Sequence, residues 1–366
     1  MKLKTFAILL IICCILLAAV LLTTRQKKTT ETAANMGAKL FTGLSAGDIA
    51  AITISGPEGA ARLKRTPNGW IVENRFDYPA DFSKVAELVK KLSDAKVGRT
   101  FPASPEIQAR LSLFPPEKPE LPADQKGTLV LLTDKDNKTQ AELIIGKPRE
   151  ESAGAGDGTC YVLRPSQNRV YLIDQNFRFL ETKPAGWLNK KPIDLNPKRI
   201  QKVVGFDTRR NRLFYILERP AQDREPVLTD LPAGRKMAKF KADQVFEALA
   251  SFTVEDVADH GRQSADARFS GAPRFEYHLY DGTVYSVFPG AALKDDPDKH
   301  YFRAAVSFQF PPGKVDPAQE ESRAKLAEEA QKLNEKISPW TFVISKWVYE
   351  SFITDPKTFI EKAEKK

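Results

Sequence analysis

IAAITISGPEGAARLKRTPNGWIV, residues Ile49 to Val72, alternates apolar and polar side chains in short runs broken at Gly56–Gly59 and at Asn68-Gly69. Alternation with a period of two predicts strands that bury one face, and connections this short join strands only in antiparallel fashion. Asn68-Gly69 is a hairpin-turn signal, so the stretch reads as three consecutive antiparallel strands. A similar strand–turn–strand opening recurs at RIQKVVGFDTRRNRLFYILER, residues Arg199 to Arg219, which predicts an internal repeat.

Both openings lead into a helix. In the first, Asp81 is a suitable N-cap for FSKVAELVKKLSDAKV, where Val85, Leu88, Val89 and Leu92 fall on one face. In the second, ADQVFEALASFTVEDV places Val245, Phe246, Leu249 and Phe252 in the same way. Val85 aligns with Val245, Glu87 with Glu247 and Val97 with Val257. A hairpin follows each helix: Gly127–Gly146 in the first copy, and Arg274–Gly290, turning at Asp281-Gly282, in the second. Tyrosine-bearing strands close the copies at Cys160–Leu163 and His300–Arg303, and the first copy adds a strand at Arg169–Asp174.

The fold class read from this pattern is α+β. Two related units, mainly antiparallel sheet with one or two helices, span residues 40–190 and 191–315. The boundary falls in the Pro- and Lys-rich stretch Lys183–Pro197. A C-terminal segment, 316–366, opens with a helix that Asp316-Pro317 starts and that runs to Lys336. Trp340–Phe352 reads as one strand or two short ones, and Asp355-Pro356 caps a last short helix.

The chain has 366 residues, of which 42% are hydrophobic and 28% charged, so it can bury cores and is no disordered tail. Its net charge of +9 raises nucleic acid as a partner. The bases are interleaved with acids, as in Lys84–Glu87–Lys90–Lys91 and Glu320–Arg323–Lys325–Glu328, and no nucleic-acid partner is expected.

Phe6 to Leu22 reads FAILLIICCILLAAVLL, and no charge lies between Lys4 and Arg25. About 20 uncharged residues make a helix of about 30 Å, the thickness of a bilayer core. Residues 1–28 are therefore expected to form a single transmembrane anchor, with the polar residues 29–39 as a tether. Leu22-Thr23-Thr24-Arg25 is a poor cleavage site and Ile12 a poor predecessor for a lipid-modified Cys13, so the anchor is expected to stay in place. Lys2 and Lys4 precede it and Arg25, Lys27 and Lys28 follow it, so flanking charge leaves direction open. The short N-terminus favours an extracytoplasmic body. Cys160 is the sole cysteine after the anchor, so no disulfide within the body is expected.

Few residues suggest chemistry. Gly154–Gly158 is glycine-rich but precedes a strand, whereas a phosphate loop needs a helix after it. Asp134–Lys138 begins like a calcium loop, but Thr139 and Ile145 stand where glycine and glutamate are required. Asp295–His300 sets acids beside a histidine and reads as a solvated loop. His260, His278 and His300 are dispersed, and no nucleophile-elbow, zinc or dithiol motif occurs. No catalytic residue, metal ligand or cofactor is therefore assigned. The C-terminal helix carries a narrow apolar seam, Leu326, Ala330, Leu333 and Ile337. It serves either the chain's own sheet or a partner subunit.

The order of short motifs resembles a known family. They are Leu40-Phe41 with Gly43-Leu44, Asn68–Trp70, Tyr78–Asp81, Ile144–Gly146, Tyr161–Leu163, Trp187–Lys190 and Trp347–Glu350. This succession is similar to the domain-of-unknown-function-4340 family of bacterial membrane-anchored proteins. The second copy departs from it in lacking an Asn-Gly-Trp hairpin and a Tyr-Pro-Ala-Asp helix start. The resemblance implies neighbours such as the permease and ATPase of an ABC transporter and a sister auxiliary subunit, and implies no catalytic residue. The function expected is that of a non-enzymatic accessory subunit in the inner membrane with a periplasmic body. The alternative is an extracytoplasmic module that binds an anionic envelope polymer or lipid. A hydrolase is the third class, with no residue pattern behind it.

Overall fold

The computed structural model describes residues 36–149, 158–259, 267–309 and 317–361. The expected anchor, 1–28, and most of the tether lie outside them. Among the described residues no helix is long and apolar enough to cross a membrane. The chain divides after Trp187 into two units.

The first unit contains β1 (Ala51–Gly56), β2 (Gly59–Thr66), β3 (Gly69–Val72), β4 (Tyr78–Pro79), α1 (Phe82–Asp94), β5 (Val97–Pro102) and α2 (Pro105–Leu111). It continues with β6 (Thr128–Thr133), β7 (Thr139–Pro148), β8 (Cys160–Arg164) and β9 (Arg169–Ile173). The sheet order is β4-β3-β2-β1-β6-β7-β8-β9-β5, with antiparallel pairing. Alternation places Ile52 and Ile54 of β1, Ala61 and Leu63 of β2, and Val130 and Leu132 of β6 in the core. The Asp81 carboxylate accepts hydrogen bonds from the Ser83 and Lys84 amides at 2.9 and 3.2 Å, which starts α1 where the sequence predicts it. Val85, Leu88, Val89 and Leu92 form its buried face. Gly37, Ala38 and Leu40 exchange backbone bonds with Ala95 and Val97, so the end of the expected tether is tied to the start of β5.

The second unit contains β10 (Ile200–Asp207), β11 (Arg212–Glu218), β12 (Val227–Leu228), α3 (Lys239–Ala250), β13 (Asp256–Ala258), β14 (Arg274–Leu279) and β15 (Thr283–Ala292). After them come β16 (Lys299–Phe308), α4 (Pro317–Ile337), β17 (Thr341–Ser345) and α5 (Lys346–Phe352). Its strand order is β12-β11-β10-β14-β15-β16-β17-β13. Aligned on β1 and β10, this is the order of the first sheet without its outermost strand β4. The repeat seen in the sequence is therefore a repeat of topology.

One detail recurs in both copies. On β7 the register shifts between Ile145 and Pro148, opposite Val162 and Cys160, so β7 carries one extra residue. On β15 it shifts likewise between Pro289 and Ala292, opposite Phe302 and His300. Gly146 and Gly290 occupy the two bulges. A Cβ on Gly146 would run into the Leu111 carbonyl and the Leu113 side chain, and one on Gly290 would lie 2.7 Å from the Ala267 carbonyl oxygen. At that point the sheet is met by Leu111 and Leu113 in the first copy and by Ala267 and Phe269 in the second, each from the stretch before the central hairpin. That stretch closes a small second core: Ala103, Leu113, Ile144, Leu163 and Val170 in the first unit, and Ala258, Ala267, Tyr301 and Val343 in the second.

The C-terminal segment departs from its sequence reading in two ways. Trp340–Phe352 is not all strand. Ser345 ends β17 and its hydroxyl accepts from the Val348 amide at 3.3 Å, which starts α5 with Val348 and Phe352 turned inward. The apolar spacing that reads as a strand is here an i, i+4 helical pair. The seam of α4 also faces its own unit. Ala330 and Ile337 are buried, Leu326 and Leu333 are half-buried, and the Asn334 side chain accepts from the Val306 amide of β16 at 2.9 Å. Ala330 and Ile337 of the seam are thus spent on the chain's own unit, and Leu326 and Leu333 keep part of their surface open.

Gly146→Ala and Gly290→Ala are each expected to lower stability by about 1–3 kcal/mol through overpacking. The control Gly47→Ala, with no atom nearer than 3.6 Å to a new Cβ, is expected to stay within about 0.5 kcal/mol of the parent. Denaturant midpoints check both. Ile337→Ala is expected to cost the isolated chain about 2–5 kcal/mol. An unchanged midpoint would return the seam to a partner.

Candidate functional site

A cleft of about 530 Å³ opens on the second unit between α3 and α5. Both walls are amphipathic helices whose inner faces are pinned. Ala242, Val245, Phe246 and Leu249 of α3 are buried, as are Val348 and Phe352 of α5. Helical periodicity then turns Lys241, Gln244 and Glu247 of α3, and Trp347 and Glu350 of α5, into the cleft. Asp355 closes one end, its carboxylate accepting from the Lys357 amide at 3.0 Å.

The walls are held by aromatic packing. The Phe252 ring, two residues past α3, lies 4.7 Å from Phe302, 5.8 Å from Phe342 and 6.3 Å from Phe352. Phe302 lies 5.0 Å from Phe352. These tilted and edge-on contacts join the end of α3, two strands and α5.

Trp347 is 70% exposed. The Ser251 hydroxyl is spent on the Glu247 carbonyl at 2.9 Å, and the Ser351 hydroxyl on the Val348 carbonyl at 2.6 Å. The Lys241 ammonium donates to Gln244 Oε1 at 3.1 Å, leaving the Gln244 amide nitrogen for another partner. The Glu247 and Glu350 side chains have no hydrogen-bond or ion-pair partner among the described residues. The cleft thus offers one aromatic face, one cation and three exposed carboxylates.

The residues singled out in the sequence lie elsewhere or serve local structure. His300 stacks on Tyr349, on α5, with ring centroids 3.7 Å apart, and burial pushes the imidazole below its ordinary range. Asp296 and Glu255 pair with Lys299 at 3.0 and 3.7 Å, and the Asp298 amide donates to Asp296 at 3.2 Å, so these acids shape the turn into β16. Asp134 accepts from the Asp136 and Lys138 amides, each at 2.9 Å, and from Gln140 at 2.8 Å. These bonds, that from Lys138 foremost, hold its carboxyl below the usual range and make a hairpin turn of the calcium-like stretch. His278 lies 3.3 Å from the Glu276 carboxylate on β14. His260 and Gly154–Asp157 lie outside the described residues. Among the described residues no three His, Cys, Asp or Glu side chains are grouped to hold a metal ion. The seam Leu326, Ala330, Leu333 and Ile337 does not line the cleft.

Sequence reasoning missed the cleft. Its walls are about a hundred residues apart, and Lys241, Gln244 and Glu247 look like any solvated helix face. The available signal was Trp347, which the sequence reading set within the strand-like run Trp340–Phe352.

With the geometry in place, the comparisons locate the chain. Residues 70–270 match the model of a family described as a domain of unknown function (DUF4340), and these are more than half of the 366 residues, so the chain belongs to that family. The match runs from β3 to the segment before β14. It includes α3 and ends before α5. No curated protein and no solved structure matches the chain.

Cys160 is buried, and burial pushes its thiol up to about 12, which removes it as a nucleophile at neutral pH. In a chain with Cys13→Ser and Cys14→Ser, native protein at pH 8 is expected to resist a thiol-specific disulfide reagent and to react fully once unfolded. Prompt reaction of the native thiol would contradict this burial.

Proposed function

We propose that the protein is a non-enzymatic accessory subunit, anchored in the bacterial inner membrane by residues 6–22, with its two-unit body on the extracytoplasmic side beside an ABC-type transporter. The observation that carries the reading is the uncharged run between Lys4 and Arg25, long enough for one bilayer crossing. The transporter neighbours are what the resemblance of the short sequence motifs implies. The cleft supports recognition. Its carboxylates Glu247, Glu350 and Asp355 are exposed to water, where the polar groups of a partner or ligand can reach them.

The rival reading, an anionic polymer or lipid as ligand, draws on the net charge of +9. Many surface bases are already matched: Lys84 with Glu181 at 3.2 Å, Lys91 with Glu87 at 3.3 Å, Lys239 with Glu225 at 2.6 Å. The rival would show as salt-sensitive retention on anionic liposomes.

Purification from native membranes in mild detergent is expected to recover the chain together with an ATPase and a permease. Recovery of this chain alone would contradict the transporter partnership. Release by alkaline carbonate would contradict the anchor.

A further inference from the structure

We infer that the cleft between α3 and α5 is a saccharide-binding site, with the Trp347 indole as platform for the C–H face of a neutral or amino hexose. Gln244, Glu247 and Glu350 would meet the hydroxyl or amino groups around its edge. The inference rests on the cleft alone and does not depend on the anchor or the transporter.

Three observations carry it. First, Trp347 is 70% exposed yet firmly placed, on a helix capped by Ser345 and pinned by buried Val348 and Phe352. A large aromatic ring gains most from burial, so one held open to water at the mouth of a cleft is ready for a flat apolar surface. Second, Ala248, Trp347 and Ile353 apart, each side chain that lines the cleft ends in a polar group. A lipid chain needs continuous apolar walls, which polar side chains at this spacing interrupt. A pyranose has the matching form, an apolar face rimmed by hydroxyls that both donate and accept. Third, the charge selects among saccharides. Lys241 stands against Glu247, Glu350 and Asp355, and its ammonium is engaged by Gln244. An acidic sugar would meet like charge here, a neutral sugar would meet acceptors, and an amino sugar would meet counter-charges.

The test uses the full chain in detergent and three tetrasaccharides: a glucosamine tetramer, its fully N-acetylated form and tetragalacturonate, each titrated calorimetrically. The first two are expected to bind and tetragalacturonate to bind at least about tenfold more weakly. Trp347→Ala is expected to weaken binding by about tenfold or more, with Trp347→Phe recovering part of the loss. Glu350→Gln is expected to weaken the glucosamine tetramer more than the N-acetylated one. The substituted side chains are exposed, so the thermal midpoint of each variant is expected to equal the parent's. Should Trp347→Ala unfold, the Trp347→Phe and Glu350→Gln responses decide. The inference is overturned if neither the neutral nor the amino tetramer binds at millimolar concentration. It is also overturned if these substitutions leave affinity unchanged, or if tetragalacturonate binds best.

Discussion

Phe252 meets Phe302, Phe342 and Phe352 within 4.7 to 6.3 Å, and everything of interest in the second unit is arranged around that contact. The four rings come from the end of α3, from β16, from β17 and from α5. Each is essentially sealed from solvent, and their tilted and edge-on geometry adds about 0.5–1.5 kcal/mol per pair beyond burial. The cluster sets the separation of α3 and α5, and with it the width of the cleft. Trp347 and Glu350 are presented to that cleft because the opposite face of their helix is anchored by Val348 and Phe352.

The two units show how a duplicated topology comes to differ. In the first, β8 and β9 are linked by the short turn Pro165–Gln167. In the second, the equivalent link contains α4, and only after it does β17 enter the sheet between β16 and β13. The last strand of the second sheet therefore comes from the segment that reads in sequence as a separate C-terminal piece. The tryptophan after that strand is used differently in each unit. In the first, the chain turns at Pro184–Trp187 and buries Trp187, whose indole N–H donates to the Glu181 carbonyl at 2.6 Å. In the second, Trp347 comes almost directly after β17 and stays open to water. A buried, satisfied indole is structural, and an exposed, unpartnered one is available for recognition.

The legible parts of this fold are those with a strong local period. The strands from Ile49 to Val72, the Asp81 cap and the buried faces of α1 and α3 all follow from alternation, 3–4 spacing and turn chemistry. The hairpin register was nearly so: the paired residues Thr66 and Gly69 put the two-residue connection at Pro67-Asn68, one step before the predicted turn. Three features were hidden for physical reasons. Trp340–Phe352 is too short an apolar run for period alone to separate strand from helix, and the Ser345 cap decided it. The glycines at 146 and 290 act through residues that meet them from well before them in the chain. The cleft is assembled from solvated helix faces that carry no local signature. The seam on α4 gave the right geometry but no indication of which surface would cover it.

The second unit depends on β17 and α5 belonging to it and holding one wall of its cleft. Amide hydrogen exchange over Thr341–Phe352 of the full native chain tests this most directly. The interior β17 amides and the Phe252-linked end of α5 are expected to be protected to an extent comparable with β14, β15 and β16. Exchange at the rate of an unstructured chain over this segment would contradict it.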